Sequence, residues 1–161
     1  MPGASDHTGQ RVVPHLHYED PFAALAWLCR VFGFAERMRF DRGSDNLTAR
    51  LEGPDGGSVM ISGLDDSFKV WMRERVPDFE EATGRSWPKL THAVTVIVDD
   101  VDAHFEQAEQ QGAAVLGAPK DQPWGLRSYA ALDPEGHQWE FATVTRGRRE
   151  GTSGVGAGER G

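Results

Sequence analysis

The chain has 161 residues and a mass of 17.7 kDa, enough for one domain with its own core and no need of disulfides or a structural metal. Its 17 Lys plus Arg against 25 Asp plus Glu give a formal charge of −8, which speaks against nucleic acid and anionic membrane surfaces as partners. No run of eighteen apolar residues occurs and the first dozen residues lack the apolar stretch of a secretory signal, so the expected location is the cytoplasm.

In chain order, residues 1–10 are polar and expected to be disordered. A strand at 12–18 leads to Asp20, placed to cap a helix over 21–32. Phe22, Leu25, Leu28, Cys29 and Phe32 recur there at helical spacing and form the face expected to lie on a sheet; Cys29, the single cysteine, reads as a small core residue. Gly33 ends the helix, and three strands follow at about 35–40, 47–51 and 58–62. Residues 64–90 read as a long connection with a short helix before Pro77; its Trp71 and Trp87 either cover a cavity or anchor the loop. A second strand at 91–98, a helix at 101–111 capped by Asp100, a stop at Gly112, and strands at 114–116, 127–132 and 137–144 complete the ordered part. Beyond 145 the basic RGRRE and the Gly-rich GTSGVGAGERG are too poor in apolar residues to order themselves.

The chain repeats itself. Residues 53–62, GPDGGSVMIS, align without gaps to residues 133–142, DPEGHQWEFA, eighty positions later, each a Pro-acid-Gly turn feeding a strand. The same offset pairs Glu19 and Asp20 with Asp99 and Asp100, both ahead of a helix. Two βαβββ modules, 11–63 and 91–144, are therefore expected.

This pattern, with PWGLRSYAALDPEGHQWEF at 123–141, resembles the vicinal oxygen chelate superfamily of glyoxalase, bleomycin-resistance and extradiol-dioxygenase-like proteins. The resemblance implies an α+β fold in which two βαβββ modules curl mixed sheets around a cavity. It also implies homodimers that often build each cavity from modules of two chains. Superfamily members include metal-dependent isomerases and dioxygenases as well as metal-free drug-binding proteins, so fold alone does not choose among them.

Carried over residue by residue, the four metal-ligand positions of the metal-using members fall on Val13, Met60, Ala93 and Glu140. Only Glu140 is a ligand for a hard or borderline cation. His15 and His17 share a strand face with Val13, so a His and Glu140 could approach a two-His-one-carboxylate site, although ligands two residues apart on one strand stand about 6–7 Å apart at the backbone. The alternative is that both histidines hydrogen-bond within a mixed cavity lining, with Glu140 paired to one of them or to Arg127. His92 is expected on the opposite face, and His7, His104 and His137 at solvent or in turns. Trp124, beside Gly125, either plugs the sheet end or stacks on a ligand.

The leading reading is a protein that binds a small, partly aromatic molecule without a cofactor, for sequestration, resistance or biosynthesis. His15, His17, Met60, Trp71, Trp87, Trp124, Arg127 and Glu140 are its candidate lining, and the net charge favours a cationic or planar guest. The rival is an enzyme, a lyase, isomerase or dioxygenase, using one divalent ion such as Zn, Fe, Mn or Ni on Glu140 with His15 or His17. Metal-free acid–base catalysis by His15 and Glu140 is a third reading.

Overall fold

The computed structural model describes residues 10–43, 46–64, 66–75 and 92–145. Module 1 runs β1 (His15–Tyr18), α1 (Pro21–Phe32), β2 (Ala35–Asp41), β3 (Leu47–Glu52) and β4 (Ser58–Gly63), followed by α2 (Asp66–Arg75). Module 2 runs β5 (Val94–Ile97), α3 (Val101–Gln110), β6 (Ala114–Val115), β7 (Lys120–Asp121), β8 (Leu126–Leu132) and β9 (Gln138–Val144). The strands order as β1-β4-β3-β2 and β5-β9-β8-β6, with β7 also on β8. In each sheet the first strand pairs in parallel with the last and the remaining pairs are antiparallel, so the α+β fold of two repeated βαβββ modules holds.

The local causes match at both helices. Asp20 accepts the Ala23 amide at 2.9 Å and Asp100 the Ala103 amide at 3.0 Å, satisfying first-turn donors that the helix itself leaves unpaired. Pro21 at the first helical position loses no bond by lacking an N–H, and Gly33 leaves α1 at φ 73°, a left-handed angle open to glycine at little cost. The buried face of α1 is Ala24, Leu25, Leu28, Val31 and Phe32; the expected Phe22 and Cys29 are only partly buried at its margin.

The modules share one core. Phe32, at the end of α1, sits edge-on to Phe141 of β9 at 4.7 Å, while Phe34 meets Trp139 at 5.4 Å. Reciprocal hydrogen bonds reinforce this docking. Glu135, in the turn of module 2, accepts the amides of Glu19 and Asp20 at 2.7 and 2.9 Å, and Asp55, its counterpart eighty positions earlier, accepts the amide of Asp99 at 2.9 Å. The acid of each Pro-acid-Gly turn thus holds the segment ahead of the other module's helix.

Several details depart from the sequence reading. Both first strands are shorter than expected, so Val13 and Ala93 precede β1 and β5. The two-residue β7 was not legible. His104 is not at solvent: it is 8% exposed, with Nδ1 2.8 Å from the Tyr129 hydroxyl and Nε2 3.0 Å from the Phe32 carbonyl oxygen. That carbonyl only accepts, so Nε2 carries the proton and Tyr129 donates to Nδ1. Gln10, expected in a disordered end, bonds the backbone and hydroxyl of Ser58, and the Thr145 amide reaches Gly125 O. The rest of the two expected tails, residues 1–9 and 146–161, lies outside the described residues, as does Trp87.

Candidate functional site

Alternation along the strands gives each sheet one face against the helices and one open face. In module 1 Leu16, Tyr18, Leu47, Ala49, Leu51, Val59 and Ile61 are buried on the helix side. The register places His15, Met60, Arg50 and Met38 in one row across the open face, and His17, Ser62, Thr48 and Phe40 in the next. Met38 and Phe40 remain 43% and 53% exposed, large apolar side chains left open on this face.

His15 and His17 stack with ring centroids 4.7 Å apart. His15 Nε2 lies 2.8 Å from Ser62 Oγ, which in turn lies 2.9 Å from Thr48 Oγ1. Partial burial lowers both imidazole pKa values, and the neighbouring His15 and His137 lower His17 further. Both rings are therefore neutral near pH 7, each with one donor and one acceptor nitrogen.

The open face of module 2 holds a hollow of about 320 Å³, lined among others by Lys120, Gln122, Trp124, Ser128, Gln138 and Glu140. Glu140 Oε2 accepts from Thr95 Oγ1 at 3.1 Å across the parallel β5–β9 pair. Trp124 does not plug the sheet end: at 66% exposed it stands at the rim. A slightly larger hollow, about 360 Å³, lies elsewhere, between the Gly53–Ser58 turn and β5. It is bordered by the glycines that replace Asp133 and His137 of the other module, and the Trp and ligand-position residues are absent from it.

The structure separates residues that the sequence reading brought together. Glu140 bonds Thr95, not a histidine or Arg127. Arg127 instead grips Asp102 of α3 through two 2.8 Å bonds and reaches Asp121 at 3.2 Å, and this pairing raises its pKa and lowers that of Asp102. His137 is tied to Asp133 at 3.3 Å, while His92 is exposed ahead of β5. Trp71 lies on α2, its side chain outside the described part. The residue missed altogether is Asp133. Buried, it accepts from Tyr18 Oη at 2.7 Å, Trp139 Nε1 at 3.0 Å and the amides of Glu135 and His137. Burial opposes its ionisation, but these bonds outweigh it and hold the carboxyl below its ordinary pKa. The signal available was its place in the repeat, where module 1 has Gly53.

As a metal centre of the superfamily type the donor set does not fit. Val13 and Ala93 offer no donor, Met60 offers a soft thioether, and no three His, Cys, Asp or Glu side chains gather as cation ligands among the described residues.

A family model described as Glyoxalase/Bleomycin resistance protein/Dioxygenase superfamily matches residues 5–141. The chain is 34% identical to TioX from Micromonospora sp. ML1, whose crystal structure superposes with a TM-score of 0.61 over 86% of this chain and 98% of that one. An uncharacterised protein of Mycobacterium tuberculosis is 29% identical over 136 residues, 83% of this chain and 74% of its own length. The Listeria monocytogenes fosfomycin resistance protein FosX, 15% identical with a TM-score of 0.55 over 85% of this chain and 94% of that one, shares the fold. With its paired βαβββ sheets and a family match that spans both, the chain belongs to the glyoxalase/bleomycin resistance protein/dioxygenase superfamily.

Proposed function

We propose that this protein binds a small, partly aromatic organic molecule without a metal, between the open face of module 2 and the open face of module 1 of a second copy. The observation that carries this reading is the 320 Å³ hollow with Trp124 exposed at its rim and Glu140 within it, in a chain whose other three metal-ligand positions are Val13, Met60 and Ala93. An exposed indole beside a concave polar surface is suited to stacking on a planar ligand. Among the large apolar side chains left open in the described residues, Met38, Phe40, Ile97 and Leu116 support a homodimer that covers them. A role in sequestration or resistance fits the fold shared with FosX, named for fosfomycin resistance; a biosynthetic role uses the same site.

Titration of the metal-free protein with a panel of planar antibiotics, followed by Trp fluorescence, tests the reading: saturable quenching is expected, and its absence across the panel refutes it. Light scattering at micromolar concentration should return twice the chain mass. The metal-enzyme alternative draws on Glu140 alone at its expected position. It becomes primary if added Zn, Fe, Mn or Ni is retained after dialysis at about one ion per chain and lost in Glu140→Ala.

A further inference from the structure

The charged side chains that line the 320 Å³ hollow of module 2, Lys120 and Glu140, are opposite in sign. Lys120 stands on β7 facing Ser128 of β8, and Ser128 in turn faces Ala142 of β9, two residues beyond Glu140. Two strand spacings and a two-residue step put Lys120 and Glu140 about 12 Å apart at the backbone. Among the described residues neither takes part in an ion pair; Glu140 accepts from the Thr95 hydroxyl, a neutral partner. Asp121, next to Lys120, lies on the other face of β7, where Arg127 holds it at 3.2 Å. The rest of the lining is neutral: Gln122, Ser128 and Gln138 offer donors and acceptors, and Trp124 stands open at the rim.

We infer that the ligand is a planar aromatic zwitterion, its anionic group paired with Lys120, its protonated amine with Glu140 and its ring against Trp124. This rests on the small-molecule reading above and names the ligand's chemistry. A ligand with a single charge, of either sign, uses one of the two groups; a ligand with both charges at matching separation uses both. Because no ion pair joins Lys120 to Glu140 in the empty hollow, the guest has none to break, and the two walls of charge are ready for it. A zwitterion also brings no net charge to a chain of −8, so the long-range field neither draws it in nor repels it.

The test takes 6-(aminomethyl)-2-naphthoate, its N-acetyl derivative, its carboxamide and the neutral compound carrying both changes, by calorimetry and amide chemical shifts at pH 7. The N-acetyl derivative keeps only the anion and the carboxamide only the cation. Each ion pair is expected to tighten binding about fivefold, the upper end for a partly exposed pair, so the zwitterion should bind about 25-fold more tightly than the neutral compound. In Lys120→Gln the zwitterion and the carboxamide should bind equally. In Glu140→Gln, which still accepts from Thr95, the zwitterion and the N-acetyl derivative should bind equally. Glu109→Gln, the same change of net charge on an exposed residue of α3, should alter none of these ratios. Equal binding of all four compounds, or tightest binding by a singly charged one, overturns the inference and leaves small-molecule binding standing. So does a preference for the zwitterion that survives both substitutions, since the charges then come from outside this hollow. No saturable binding by any of the four overturns both.

Discussion

The two modules obey one repeat and fill it in opposite ways. In module 1 the bulk sits on the helix, where Leu25, Leu28, Val31 and Phe32 are buried, and the sheet answers with Ala49, Val59 and Ile61. In module 2 the bulk sits on the sheet as Tyr129, Trp139 and Phe141, the counterparts of those three, and the helix buries Val101, His104 and Ala108. The comparison teaches that what a βαβββ unit needs is the sum of volumes between its layers, not their location. What the modules hold in common is set by backbone demands: aspartate caps, left-handed glycines after the helices, and Pro-acid-Gly turns whose acids reach across to the other module.

The sharpest contrast lies at those turns. Module 2 packs Asp133 and His137 against Tyr18; module 1 has Gly53, Gly57 and Val98 at the matching places and leaves the 360 Å³ hollow. Removing the acid from the filled side should have the largest effect of any single change discussed. Asp133→Ala strands the buried Tyr18 hydroxyl and Trp139 indole N–H and is expected to cost about 3 kcal/mol or more, read from the urea midpoint at unchanged slope. A loss below about 1 kcal/mol would mean that water replaces the carboxylate, and the contrast between the turns would lose its energetic meaning.

A second contrast pairs His104 with Ala24. Desolvation lowers the pKa of His104 below that of an unfolded histidine, about 6.5, despite the opposing Phe32 carbonyl and Asp55. Below that pH the unfolded chain takes up a proton that the native state refuses, so stability is fully present above about pH 6.5 and falls as the pH drops through it toward the native pKa. The expected slope is at most about 1.4 kcal/mol per pH unit for this one group. Urea unfolding between pH 7.5 and 5.5 should show the decline, shallower in His104→Ala, a variant that is also less stable throughout because Tyr129 and the Phe32 carbonyl lose their partner. An unchanged pH profile in that variant would assign the decline to His15 and His17 instead.

The reciprocal turn acids give a smaller and graded effect. Glu135 accepts two amides and Asp55 one, so Glu135→Ala should cost about 1–2 kcal/mol and Asp55→Ala about half as much, each by thermal melting. Equal losses would show that the bonds to Glu19 and Asp20 share one acceptor's worth of energy.

How much of this was legible follows from where each cause lies. The modules, caps, stops and turns were readable because their causes are local: an aspartate ahead of a helix or a glycine after one acts on residues three or four away. The same holds for the placement of His15 and His17 on one face, which strand alternation dictates. The partners of Glu140, Arg127 and His104 were not readable, because each was decided by competition among groups distant in sequence. Arg127 had a carboxylate pair on α3 and β7 within reach, and Glu140 had a hydroxyl directly across the β5–β9 pair. Nor does periodicity distinguish the buried Ala24 and Val31 from the marginal Phe22 and Cys29, since that depends on where the sheet ends beneath the helix.

The smallest expected effect on stability belongs to the residue on which the proposed function most depends. At 66% exposed, Trp124 has little apolar area to lose on truncation, so Trp124→Ala should move the unfolding free energy by no more than about 0.5 kcal/mol. The same variant should lose about 1 kcal/mol or more of affinity for a planar ligand, because stacking on an indole contributes beyond the area it covers. A structural plug would reverse these magnitudes, costing stability and sparing binding. The ratio of the two losses, from one variant and two titrations, therefore separates a side chain that completes the sheet from one kept at the surface for something to stack on.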